Sequence, residues 1–172
     1  MEEEGEKFEL KRLSREGLEA ALRKAVRYRL LNEPREAESI CRDVLAIEPG
    51  NQQAQITLIL ALTDQFGRES GPTAQDAQKL IDALESEYER IYYSAIICER
   101  QAKRLLRSAI PRAGSMTYSL LREAMELFEK AEKLRPAGND EAVLRWNTCA
   151  RIITQEAHVR PEPEDTFRPL LE

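Results

Sequence analysis

Apolar side chains recur along this chain at three- and four-residue spacing, block after block, with polar stretches between. Leu18, Ala21, Leu22, Ala25, Tyr28 and Leu31 fall on one face of a helix that Ser14 can start and Asn32-Glu33-Pro34 interrupts. Pro34 suits the first turn of a second helix, and Pro49 ends that helix by lacking an N–H and by restricting Glu48. A third helix, from about Asn51 to Phe66, is apolar nearly all the way round, so neighbours must cover it on more than one side. The loop from Gly67 to Pro72 follows, and Thr73 with Asp76 three residues later forms a capping box. It opens a helix carrying Ala77, Leu80, Ile81 and Leu84. Glu85-Ser86-Glu87 is polar but holds no Gly or Pro, so two readings stand: a sharp turn, or one helix continuing to about Ser108 in an irregular bundle. Either way Tyr88, Ile91, Ala95, Cys98, Ala102 and Leu105 share a face. Pro111 to Gly114 reads as a loop, Ser115 to Arg135 as the next helix, and Asn139 as the cap of a last one that runs to about His158.

Two of these helices carry one pattern. Residues 35–49 align without a gap on residues 122–136: each opens Arg-Glu-Ala and has apolar residues three, four, seven and ten positions after the Ala. Each stops at a proline, followed by Gly-Asn or Ala-Gly-Asn. A helix-length unit written twice points to a repeat architecture, because one such unit cannot bury its apolar face alone.

Composition narrows the class. Ala, Leu, Glu, Arg and Lys dominate and aromatics are only 6%, the usage of helices rather than strands. The 172 residues suffice for one core, so a single domain over 14–158 is expected, preceded by an acidic segment without fixed structure over 1–13 and followed by an extended tail over 159–172. No apolar run approaches the roughly 18–20 residues of a membrane span, and the acidic start is unlike a secretory signal, so a cytoplasmic protein is expected. Cys41, Cys98 and Cys149 are odd in number and widely spaced in apolar stripes, which makes them core residues rather than a disulfide or metal set.

Residues 18–51 have a more specific likeness. Ala25, Tyr28, Ala37 and Pro49 stand where tetratricopeptide repeats (TPRs) carry a small residue, a tyrosine, an alanine and a closing proline, with Leu45 and Ile47 at the apolar places before it. The chain resembles that family. Ala124, Phe128, Ala131, Leu134 and Pro136 repeat the second-helix half, and Ala77, Ile81 and Leu84 repeat it without the proline. The resemblance implies an all-α solenoid of antiparallel helix pairs, about seven helices, closed by a C-terminal capping helix that contains Trp146. It further implies a concave groove, lined by first helices, for a protein or peptide. The family's carboxylate clamp uses Lys and Asn at fixed places, whereas the matching positions here hold Leu22, Arg23, Val26, Ile56, Thr57 and Leu60. Chaperone-tail recognition is therefore not expected, and Arg23 and Val26 stand as candidate groove residues.

Candidate chemistry is sparse. Tyr93, Ile97, Arg100, Arg104 and Arg107 recur at four, three, four and three, which puts them on one face opposite the core stripe. Guanidinium groups there suit an acidic peptide, although a solvated helix face explains the same pattern. A net charge of −5 and the lack of a recognition motif argue against nucleic acid. With one histidine, two-histidine metal centres cannot be built, and the seven glycines form no phosphate loop, so no metal, cofactor or catalytic set is expected. A distant alternative is Arg151 with His158, similar in spacing to the motif of the HEPN ribonucleases, with Ile152 in place of a polar residue. A self-associating structural subunit is the nearer alternative. Glu162, Glu164, Asp165, Phe167, Leu170, Leu171 and Glu172 also make the tail a candidate ligand for the arginine face.

Overall fold

Side chains that accept the free N–H groups of first turns fix several of the helix starts. In the computed structural model, which describes residues 8–163, the Asn51 side chain accepts from the Ala54 N–H and the Ser86 side chain from the Glu89 N–H. Thr73 and Asp76 form the reciprocal capping box that the sequence predicts. The expectations for residues 1–7 and 164–172 lie outside the described residues.

The described residues form seven α-helices and no strand. These are α1 (Leu18–Leu30), α2 (Pro34–Ile47), α3 (Gln52–Thr63), α4 (Ala74–Gln78), α5 (Glu87–Leu106), α6 (Ala113–Leu134) and α7 (Glu141–Gln155), with short 3-10 turns at Arg15–Gly17 and Ile81–Ala83. None is long and apolar enough to cross a membrane.

Most packing is between helices adjacent in sequence. α1 lies on α2, α2 on α3, α5 on α6 and α6 on α7, and α1 also touches α3 while α3 touches α5. Ala25 and Ala37 are both fully buried, and small residues at such positions let two helices approach closely. The twin segments are buried in the same register. Ala37, Cys41 and Val44 of α2 are buried, as are Ala124, Phe128 and Ala131 of α6, while Ile40 and Leu127 are half-buried in both. α3 is covered on several sides, as its all-round apolar sequence requires, with Leu58, Ile59, Ala61 and Leu62 in one core. Tyr92 and Phe128, their ring centroids 5.7 Å apart, centre the other large core between α5 and α6. Trp146 of α7 is half-buried against that same core and donates its indole N–H to Glu129 at 2.9 Å.

Three sequence expectations need correction. The helix expected from Thr73 to Leu84 ends at Gln78, and a 3-10 turn completes the segment. The backbone there is satisfied by side chains instead: Gln52 donates to the Ala83 carbonyl and accepts from the Glu85 N–H, and Arg90 donates to the carbonyls of Leu84 and Glu85. A break therefore lies between Leu84 and Ser86, and the continuous helix across this segment is excluded. α7 is capped at Asp140, one residue late, with the Asn139 side chain accepting from the Glu141 N–H. Finally, the tail does not leave the domain at residue 159. Val159 is fully buried in the α5–α6–α7 core, and Glu162 pairs with Arg112.

A candidate cationic cleft

The C-terminal ends of α1, α3 and α5 come together at one end of the molecule. α1 brings Arg29, α3 ends at Asp64 beside the Phe66–Gly67 turn, and the last turns of α5 bring Arg100, Lys103, Arg104 and Arg107. Together they line an open cleft of about 660 Å³.

Asp64 organises the floor. One carboxylate oxygen accepts from Arg29 Nε at 2.7 Å and the other from Arg100 Nη1 at 3.1 Å, so a single acid holds guanidinium groups from the helices on either side. Each arginine keeps further N–H donors, because the bridge engages one edge only. Arg100 Nε is buried and finds no acceptor in the protein. Lys103 pairs with Glu99, a carboxylate with no exposed surface that also takes a longer contact from Arg145 Nη1 at 3.4 Å. Burial alone would lower the Arg145 pKa, but the Glu99 charge and the Tyr92 hydroxyl beside it hold that guanidinium above its ordinary value.

Arg104 and Arg107 are exposed, and neither forms an ion pair among the described residues. Arg104 is nonetheless positioned. Its side chain lies across Gly67, where a Cβ would sit 3.1 Å from Arg104 Cγ, and the Gly67 φ of +86° favours glycine in any case.

The structure gathers some of the sequence candidates and separates others. Arg100, Arg104 and Arg107 share the cleft, but the face assigned to them opposite the core is not a free one. Ile97 is buried and Tyr93 is half-buried, both against the α3–α4 side, because α5 is covered on that side as well as by α6. Burial accordingly raises the Tyr93 pKa. These two residues hold α5 in place and are not open to a ligand. Arg23 is exposed, pairs with Glu19, and lines a separate depression of about 480 Å³ with Lys24, Arg27, Tyr28 and Leu31. Val26 is half-buried and lines neither depression. Leu22 and Thr57, at two of the clamp-equivalent positions, are core residues.

Arg29 and Asp64 escape a reading by helical faces. Arg29 and Asp64 are 35 residues apart on different helices, and only the packing of α1 on α3 joins them. Arg151 is exposed on α7, whereas His158 lies past the helix end with Nδ1 3.8 Å from a Glu156 carboxylate oxygen. Among the described residues no group of three His, Cys, Asp or Glu side chains is placed to hold a metal ion.

Fold and cleft together define an all-α protein whose sequence-adjacent helices pair and whose alternate helices α1, α3 and α5 converge on a cluster of cationic side chains. Comparison with protein-family models, curated proteins and solved structures finds no match to this chain.

Proposed function

We propose that this chain is a non-catalytic, TPR-like scaffold that binds a protein or peptide on the face formed by α1, α3 and α5. The observation that carries the reading is the contact of alternate helices, α1 with α3 and α3 with α5, bridged by Arg29–Asp64–Arg100. Alternate contact is what a stack of helix pairs requires, and it produces one continuous surface from first helices. The matched burial of α2 and α6 supports the same arrangement, since both then act as second helices.

The test uses lysines already on the two faces. Lys103 belongs to α5 and lines the cleft, whereas Lys79, Lys130 and Lys133 belong to α4 and α6 or their ends. Partners captured by the full chain from its native cell are cross-linked and the linked lysines are mapped. The reading expects a link at Lys103. Links confined to Lys79, Lys130 and Lys133, or no partner captured in near-stoichiometric amount, would remove it.

A second reading, self-association, has one observation in its favour. Leu30 and Leu31 are adjacent, and their exposures of 82% and 58% make an apolar step at the end of α1. Sedimentation of the 19.7 kDa chain separates the two, because a dimer that Leu30→Lys dissociates would favour self-association.

A further inference from the structure

We propose that the cleft between the ends of α1, α3 and α5 binds an acidic peptide segment, with carboxylates at alternate positions held by Arg104, Arg107 and the free edges of Arg29 and Arg100. This deepens the peptide-binding reading and rests on it.

Charge balance is the first ground. Arg29, Arg100, Lys103, Arg104 and Arg107 bring five cations to the cleft, while Asp64 and the buried Glu99 bring two carboxylates. Three cations remain uncompensated in a chain whose net charge is −5. Three helix C-termini also end here, and lysine and arginine commonly gather at such ends. Each terminus contributes only about half a negative charge, so together they cannot cancel the surplus. The cleft stays positive.

Geometry is the second. Asp64 uses one edge of Arg29 and one edge of Arg100, which fixes both planar groups while leaving donors for a second acceptor. The Gly67 turn fixes the stem of Arg104 in the same way. These arginines are therefore partly ordered before any ligand arrives, and that lowers the entropy cost of binding. Arg104 and Arg107 stand about 5–6 Å apart on one helix face, close to the roughly 6.6 Å between alternate side chains of an extended strand. Glutamates at every second position match that spacing.

Size is the third. A cleft of about 660 Å³ holds a few residues of peptide. A nucleic acid would call for a longer cationic track than the end of one cleft provides. The occupant is a peptide.

The experiment is an anisotropy titration of the full chain at low salt with three labelled probes: a peptide with glutamates at alternate positions, the same peptide with glutamines, and a short single-stranded oligonucleotide. The glutamate peptide should bind and weaken as salt rises, and the glutamine peptide should not bind. Arg104→Glu with Arg107→Glu should weaken binding by at least about tenfold. Arg122→Glu with Arg151→Glu makes the same charge change at exposed sites on α6 and α7 and should shift it by less than about twofold. Arg104→Gln with Arg107→Gln keeps most of the packing over Gly67 and guards against a folding defect, which circular dichroism would register. Equal losses in the two charge-reversed pairs, no binding of the glutamate peptide, or arginine-dependent binding of the oligonucleotide in its place would overturn the proposal. If the partner cross-linked at Lys103 still binds the Arg104/Arg107 variants, this site fails while peptide binding stands. If no partner is captured, the broader reading fails whatever the probes do.

Discussion

Glu99 has no exposed surface, yet Lys103 and Arg145 are each about one-third exposed. This asymmetry orders the expected effects of substitution. Glu99→Gln leaves two cations that can turn toward water, at a cost of about 1–2 kcal/mol. Lys103→Met with Arg145→Met strands the carboxylate in the core and should cost more, about 3–5 kcal/mol. Urea unfolding of both variants checks the order, and the reverse ranking would remove the network as a stabilising unit. The cysteines make a second residue-scale case. Burial pushes Cys41, Cys98 and Cys149 from 9.0 up to about 12, so a thiol reagent should modify Cys41 and Cys149 only as fast as the chain opens. Their folded pKa lies above the unfolded one, so the stability they contribute is intact below about pH 9 and falls as the pH climbs toward 12. A urea midpoint that did not drop across that window would contradict the assignment. That Cys41 and Cys149 are core residues was legible from their stripes, because burial on one helix face follows from spacing, whereas Cys98 is only half-buried. The bridge at Asp64 was not, because it depends on which helices become neighbours.

At the scale of elements, the sequence is most readable where a side chain fixes a backbone group locally. Thr73–Asp76 and Pro34 mark their helix starts without any knowledge of the fold. Ser86 followed by Glu89 is a start signal of the same kind, hidden because no Gly or Pro accompanies it. The early end of α4 was out of reach, because the groups that replace its hydrogen bonds come from Gln52 and Arg90 on other helices. Ser86→Ala should therefore cost about 1 kcal/mol and fray the start of α5, visible as faster amide exchange at Glu89 and Arg90. Gly114 makes a sharper prediction. A Cβ there would lie 2.2 Å from the His158 backbone oxygen, and a backbone atom cannot swing aside. Gly114→Ala should lift residues 156–160 off the first turn of α6, expose Val159 and cost about 1–3 kcal/mol. Proteolysis close to Val159 would report it, and an unchanged cleavage pattern would contradict the contact.

For the molecule as a whole, the all-helical class was legible because periodicity and composition agree, and the count of about seven helices needed only the break before Ser86 to be resolved. Which face of α5 is free was not legible. A single stripe is enough to bury a surface helix, but α5 is flanked on two sides, so Ile97 joins the core with α3 instead of facing outward. α1 to α4 and α5 to α7 contact mainly their own chain neighbours, and little besides α3, α4 and the Asp64 bridge links the two sets. Asp64→Asn should cost about 1–3 kcal/mol and should do more than lower a midpoint, because it weakens the Arg100–Asp64 pair that ties α3 to α5. In native-state hydrogen exchange the two sets should then open at separate denaturant concentrations, where the unaltered chain opens them together. A carboxylate shared by three helices thus acts on cooperativity: a disturbance that loosens α1 reaches α5 through one side chain, and an anion that draws Arg29 or Arg100 away from Asp64 would alter how tightly the two halves of the chain unfold as one.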